Sequence, residues 1–114
     1  MVTLNFAQEF ALSFDETDEA PHMEVTAIRV KKKIFITLNS KMKRVCVKLS
    51  PIDQNVFCSF DKDIIYPVPN AWGKQGWTLI ELKKIRKEML QDAITCAYCT
   101  VAPNKLAAKY LHDI

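Results

Sequence analysis

A Cys-x-x-Cys pair is the first group of residues in this chain whose types and spacing can do chemistry. Cys96-Ala97-Tyr98-Cys99 has the spacing of half a zinc site or of a redox pair. A structural zinc site needs four ligands, usually from two such pairs, and neither Cys46, Cys58 nor the histidines supply a second pair. The pair also lies inside an amphipathic helical pattern rather than at a strand-to-helix junction. We therefore interpret both cysteines as helix packing residues and expect no metal.

The histidines and glycines do not form a catalytic pattern either. His22 stands in an acidic stretch and His112 near the end of the sequence, without a nucleophile in a recognisable motif beside them. Gly73-x-x-Gly76 precedes a strand pattern rather than a helix N-terminus, which is not the arrangement of a phosphate-binding loop. We therefore expect a protein that is not an enzyme and that needs no cofactor.

Charge is strongly segregated, although the net charge is only +3. Residues 1–24 carry six acids and no base, whereas residues 29–48 carry eight bases and no acid. A block this basic can attract phosphates, but lysines also protect an exposed hairpin edge from pairing with other strands, and the pattern alone leaves both interpretations open. The eight bases are Arg29, Lys31, Lys32, Lys33, Lys41, Lys43, Arg44 and Lys48.

The elements that position these residues begin with a helix capped by Thr3 and running to about Leu12. The acidic stretch Asp15–Glu24 contains Pro21 and is predicted to be a loop, with its acids either solvated or close to the basic block. Period-two patterns then predict three strands of an antiparallel meander, Val25–Val30, Lys33–Asn39 and Arg44–Leu49. The turn at Lys31-Lys32 lacks the usual Gly or Asn, so either it is longer than it looks or a lysine is left-handed.

The second half of the chain predicts two more strands and three more helices. Ser50 caps a helix that runs to about Phe60 and buries Ile52, Val56 and Phe57 or Phe60. The remaining elements are strands Ile64–Tyr66 and Trp77–Leu82 and helices Lys83–Thr100 and Pro103–Leu111, the last burying Leu106, Ala107 and Tyr110. The class is α+β, one domain over residues 1–114 in the order α-β(3)-α-β(2)-α(α), with an antiparallel sheet and helices packed on one side.

Both tryptophans and both glycines of the chain lie between the last two strands. We expect Trp77, at the start of a strand, to be buried. Trp72 lies in the loop, where it either anchors the loop to the core or is exposed as a stacking platform for bases. This loop, residues 67–76, which we call the tryptophan loop, is interpreted as a rigid brace between the second hairpin and the helices.

Length and composition place the chain among ordinary soluble domains. It has 114 residues, 49% of them hydrophobic, and no apolar run of the roughly 18 residues that a membrane helix needs. The first twenty residues lack a basic region and become acidic, unlike a signal peptide. We therefore expect a cytoplasmic protein with reduced cysteines and no membrane partner.

Several motifs together resemble one family. They are Pro67-x-Pro69 followed by Trp72-Gly73-x-x-Gly76-Trp77, with Pro21-His22, Lys33-Ile34-Phe35 and Pro103-Asn104-Lys105-Leu106-Ala107 in the same order. This set resembles the MmcQ/YjbR-like family of small bacterial proteins. The resemblance implies an α-β(3)-α-β(2)-α fold, and members are commonly labelled DNA-binding because their hairpins resemble a double wing. One departure is Lys31-Lys32, which stands where members often have a glycine.

Together these observations favour a small nucleic-acid-binding domain. The eight bases of the block would contact DNA phosphates, with Lys74 as a further contact and Trp72 as the stacking candidate. Phosphate contacts position a protein without specifying sequence. The alternative is a protein-interaction module that docks a partner on the sheet face or on the tryptophan loop.

Overall fold

The computed structural model describes residues 1–111, which form one six-stranded antiparallel sheet and five helices. The strands are β1 (Thr17–His22), β2 (Val25–Val30), β3 (Lys33–Asn39), β4 (Arg44–Lys48), β5 (Ile65–Pro67) and β6 (Trp77–Glu81). The helices are α1 (Leu4–Leu12), α2 (Pro51–Cys58), α3 (Ala71–Lys74), α4 (Lys87–Val101) and α5 (Asn104–Leu111). Neighbouring strands follow the order β1-β2-β3-β4-β6-β5. The predicted α+β class and antiparallel meander are confirmed.

The acidic stretch is a strand, so the prediction of a loop at Asp15–Glu24 was wrong. β1 pairs antiparallel with β2, and Pro21 lies opposite Thr26. β1 is the edge of the sheet, where a proline that lacks an N–H costs no ladder bond on the open side. Repulsion among its acidic residues is reduced because basic side chains of β2 and of the turn after β2 lie beside them.

The β2–β3 turn resolves the question left open by its sequence. Lys31 and Lys32 are both left-handed, with φ of 51° and 68°, and they join the strands directly. Two consecutive positive φ values are the geometry of the tight hairpin turn that glycine and asparagine normally occupy. Two lysines therefore adopt this conformation at some cost in backbone strain.

The core lies between the sheet and helices α1, α4 and α5. A β-bulge at Ile28/Arg29 lets Phe35 point to the helical side together with Ile36. Phe35 packs edge-on against Tyr98 of α4, with ring centroids 5.5 Å apart, and Tyr98 stacks on Phe14 at 4.6 Å. This aromatic cluster joins α4 to the α1–β1 connection. The core helices α1, α4 and α5 therefore cover one sheet face and leave the other open.

Helix α2 does not bury the residues expected of it. Ser50 caps the helix as predicted, and its hydroxyl accepts from the Asp53 N–H at 3.1 Å. However, Ile52, Val56 and Phe60 are 77%, 62% and 53% exposed, so the prediction that this stripe is buried was wrong. The helix instead turns Phe57 and Cys58 toward the core and leaves the stripe outside.

Helix α4 begins at Lys87, four residues later than predicted. Leu82 and Ile85 are buried, as apolar residues on the inner face of a helix would be, but they lie in the segment between β6 and α4. The carbonyl oxygen of Leu82 accepts from the Val2 N–H at 3.0 Å, which ties the segment to the N-terminal residues instead of to a helical turn. The four residues from Lys83 to Arg86 are therefore a connecting loop.

Candidate nucleic-acid interface

Two basic residues of the predicted block form ion pairs with acidic residues of β1 or of the segment just before it. Arg29 forms two hydrogen bonds of 2.9 Å with the carboxylate of Asp18, directly across from it. Lys31 lies 3.0 Å from Glu16. The hydrogen bond from Arg29 lowers the pKa of Asp18, and the carboxylate raises the pKa of Arg29. In each pair the carboxylate offsets one positive charge of the block, which weakens the attraction of the block for a phosphate.

Arg44 is also partly compensated. Its guanidinium lies 3.9 Å from Glu81, its partner across β4 and β6. The hydroxyl of Tyr66 donates to the same carboxylate, and this hydrogen bond raises the pKa of Tyr66. These three residues form a polar patch on the sheet face that carries no helix.

The block is divided between the two ends of the sheet. Lys31, Lys32 and Lys33 lie at the β2–β3 turn, whereas Lys41 and Lys43 lie at the β3–β4 turn. The seven residues of β3 separate these turns by about 20 Å at ~3.3 Å per residue. The predicted residues therefore do not form one surface, because antiparallel pairing sends consecutive turns in opposite directions.

A second basic loop joins the β3–β4 turn, which sequence reasoning missed. The N–H of Leu82 donates to the carbonyl oxygen of Lys43 at 3.2 Å, so the β6–α4 connection runs beside this turn. That connection brings Lys83 and Lys84 next to Lys41 and Lys43. All four side chains are exposed, and none forms an ion pair with another of residues 1–111. We call these four lysines the basic end.

Sequence reasoning assigned Lys83 and Lys84 to the start of the helix predicted over Lys83–Thr100 and did not connect them with the hairpin. The available signal was the run Lys83-Lys84, Arg86-Lys87, which continues the basic character beyond the β6 strand. Arg86 and Lys87 are exposed where α4 begins. Acids flank the surface as well: Asp61 and Asp63 precede β5 on the far side of the connection.

Lys48 and Lys74 lie at the opposite end of the sheet from these four lysines. The ammonium of Lys48 donates to the carbonyl oxygen of Gln75 and lies 5.5 Å from the centre of the Trp77 ring. Lys74 is exposed at the last residue of α3. Lys74 belongs to the tryptophan loop, and Lys48, the last residue of β4, contacts that loop; neither lies at the basic end.

The tryptophan loop is a closely packed brace. Gly76 has a φ of 105°, and a Cβ built on it would lie 1.9 Å from the carbonyl oxygen of Leu49. A Cβ on Gly73 would lie equally close, 1.9 Å, to the carbonyl oxygen of Val68. The side-chain amide of Gln54 in α2 donates to the carbonyl oxygen of Gly73 at 2.9 Å. Both glycines are required because other backbone occupies the space of a side chain.

The two tryptophans lie on the sheet face opposite α1, α4 and α5, with Trp72 on the short helix α3 and Trp77 in β6. Trp72 is 58% exposed, and Trp77 is half-buried rather than buried as predicted. Together with Val68 they form one wall of a groove with a volume of about 420 Å³. Its floor is made by side chains of β2, β3 and β4, namely Val25, Ile34, Thr37 and Cys46. Its other wall is made by His22 and Met23 at the β1–β2 turn.

The cysteines are packing residues in the described chain. Burial raises the pKa of Cys96 to about 12 and that of Cys46 to about 11, which keeps both thiols protonated. Among residues 1–111, no three His, Cys, Asp or Glu side chains are grouped so that they could hold a metal ion. No helix within that range is long and apolar enough to cross a membrane. His112 lies outside the described residues.

Comparison with known proteins agrees with this architecture. A crystal structure of the Deinococcus radiodurans protein DR2400, of the domain family DUF419, superposes with a TM-score of 0.77, at 17% sequence identity, over 89% of this chain and 79% of that one. At this identity the likeness concerns the fold. No curated protein matches the chain. The model of the YjbR family matches residues 12–100, which include the sheet, the tryptophan loop and most of α4. The chain therefore belongs to the YjbR family.

Proposed function

We propose that this protein binds nucleic acid through phosphate contacts at the basic end. The observation that supports the proposal is the hydrogen bond between Leu82 and Lys43, which sets two basic loops side by side. Four lysines without an ion-pair partner among residues 1–111 then point into solvent from adjacent loops. Lysine ammonium groups of this kind bind phosphates as point charges and release condensed counterions.

The proposal narrows the predicted set of residues. Arg29, Lys31 and Arg44 already have carboxylates beside them, and binding a phosphate would require exchange of one partner for another. Neither Lys41 nor Lys43 forms an ion pair with a carboxylate of residues 1–111, so a phosphate would displace no existing partner. We expect them to carry the larger share of affinity, with Lys83 and Lys84 beside them.

Titration of labelled duplex DNA at two salt concentrations tests this proposal. Binding should weaken steeply with salt, because the logarithm of the binding constant falls by about 0.9 per phosphate neutralised for each tenfold rise in salt. Lys41→Glu/Lys43→Glu should weaken binding and reduce that slope by about 2.

Lys32→Glu/Lys33→Glu is the matched control, since it makes the same charge change at the opposite end of the sheet. A smaller effect of the control supports the basic end. Equal loss in both variants would mean that only net charge matters, and absent or salt-insensitive binding of the unsubstituted protein would refute the proposal.

A second candidate function is self-association through α2, favoured by the exposed stripe Ile52, Val56 and Phe60. The three residues are evenly spaced about Val56: Ile52 lies four positions before it in α2, and Phe60 lies four positions after it, in the turn just beyond the end of the helix at Cys58. Two antiparallel copies of such a stripe are self-complementary about a two-fold axis, as an isologous interface requires. We infer a homodimer rather than an unrelated partner because of this symmetry.

Size-exclusion chromatography with light scattering tests the dimer at low and high salt. An apolar interface should persist at high salt, and Val56→Asp should produce a monomer. Met42→Asp is the control, since Met42 is 53% exposed in the β3–β4 turn and does not belong to α2. A monomeric unsubstituted protein at millimolar concentration would refute this candidate.

A further inference from the structure

We propose that the groove on the helix-free sheet face is a binding site for a small planar aromatic carboxylate. Its volume of about 420 Å³ lies at the lower end of the ~300–1,000 Å³ of small-molecule sites. A single small ligand fits such a groove better than a polymer does. This site is separate from the basic end and does not depend on the proposed function.

The chemistry of the walls selects a flat apolar group. Trp72 and Trp77 present two indoles on one side, and Val25 and Ile34 form part of an apolar floor. Indole rings pack against other aromatic rings in offset or edge-on arrangements. The polar groups of the lining are the His22 imidazole, the Thr37 hydroxyl, the Cys46 thiol and the two indole N–H groups. None is an amide or a carboxylate of the kind that pairs with two atoms of a base edge, so a nucleobase would leave several of its donors and acceptors unpaired there. An aromatic hydrocarbon skeleton therefore suits the groove better than a base does.

Lys48 supplies the charge that the carboxylate would meet. It lies directly across from Trp77 in the pairing of β4 with β6, and its ammonium is 5.5 Å from the centre of that ring. One of its three donors is used by the carbonyl oxygen of Gln75, which also holds the ammonium in place. A ring stacked beside Trp77 would bring its carboxylate to this cation. The groove has a neighbouring positive charge and no carboxylate among its lining residues.

The tryptophans make the site directly observable. The chain has two tryptophans, and both line the groove, so their two indole N–H resonances report on its occupancy. Titration of the ¹⁵N-labelled protein with 2-naphthoate should shift both resonances saturably. Ile34→Gln, in the floor, should weaken binding at least about tenfold by placing an amide against the ring. Trp72→Ala removes an exposed side chain, so this variant should remain folded and show weaker binding through the Trp77 resonance.

Two comparisons separate this site from non-specific binding. Leu111→Gln makes an apolar-to-polar change outside the groove, at an exposed position in the last turn of α5, and should leave the affinity unchanged. Lys48→Gln should weaken 2-naphthoate about five- to tenfold and leave 2-naphthalenemethanol unaffected. The proposal is overturned if neither resonance shifts saturably, if Ile34→Gln and Trp72→Ala bind as well as the unsubstituted protein, or if adenosine 5′-monophosphate binds more tightly than 2-naphthoate.

Discussion

The hydroxyl of Tyr98 donates to the carbonyl oxygen of Asp15 at 2.8 Å, joining residues that are 83 positions apart. The hydroxyl of Tyr110 accepts from the N–H of the same residue at 3.1 Å. Helices α4 and α5 thus satisfy both backbone groups of Asp15, at the point where the chain leaves α1 and enters β1. This relationship fixes where the acidic edge strand begins.

Tyr98→Phe should lower the free energy of unfolding by about 1–2 kcal/mol. The substitution keeps the ring in the aromatic cluster but leaves the Asp15 carbonyl without its donor. Urea denaturation of both proteins measures the difference. A variant as stable as the unsubstituted protein would show that water replaces the hydroxyl at no cost.

Alkaline pH should destabilise the protein partly through the same tyrosine. Burial raises the pKa of Tyr98 from 10.0 to about 12, with smaller contributions from Tyr110 and Asp15. The unfolded chain therefore loses this proton first, and the stabilisation present below pH 10 is lost as the pH rises toward 12. Cys46 and Cys96 contribute with the same sign from pH 9 upward. Urea midpoints between pH 8 and pH 11 should fall, and Tyr98→Phe should show a shallower fall.

Gly76→Ala should destabilise the tryptophan loop by about 3 kcal/mol. The added Cβ would meet the carbonyl oxygen of Leu49 at 1.9 Å, and the φ of 105° is unfavourable for alanine. Thermal unfolding measures the loss. Gln75→Ala is the control and should change the midpoint little, because Gln75 lies one position earlier with a negative φ of −88° and an exposed side chain. Equal midpoints for the two variants would contradict the close approach.

Ile52→Ala and Ile36→Ala should differ strongly although the chemical change is identical. Ile52 is 77% exposed on α2, and its truncation should change the stability by less than about 0.5 kcal/mol. Ile36 is fully buried under the helices, and its truncation should cost about 2–5 kcal/mol. Chemical denaturation at a concentration where the protein is monomeric makes the comparison. A large effect at Ile52 under those conditions would mean that α2 packs on the core.

Cys96 should be unreactive in the folded protein at pH 8. Its side chain is buried and its pKa is raised to about 12, so little thiolate is present or accessible. Iodoacetamide labelling followed by mass spectrometry should modify it slowly in buffer and rapidly in urea. Cys58, which is half-exposed, serves as the internal comparison. Rapid labelling of Cys96 in buffer would contradict the packing of α4.

Much of the fold followed from local patterns in the sequence. Alternation of apolar and polar residues predicted the meander from Val25 to Leu49, because a strand with one buried face repeats every two residues. Caps at Thr3 and Ser50 are local hydrogen bonds and were correctly predicted for the same reason. The loop with both glycines was predicted to be rigid because it also contains two prolines, which fix φ, and because glycine allows the positive φ that a sharp turn needs.

Tertiary structure decided the features that depend on distant residues. The sequence could not show that residues 17–22 form an edge strand, because Arg29 and Lys31 lie beside its acids only after β1 pairs with β2. It could not show that the Ile52–Val56–Phe60 stripe faces solvent, since the periodicity of a helix indicates an apolar face but not what that face meets. The basic block itself was visible in the sequence. Its division between opposite ends of the sheet, and the meeting of Lys43 with the loop after Leu82, arise from strand order, which a one-dimensional pattern does not carry.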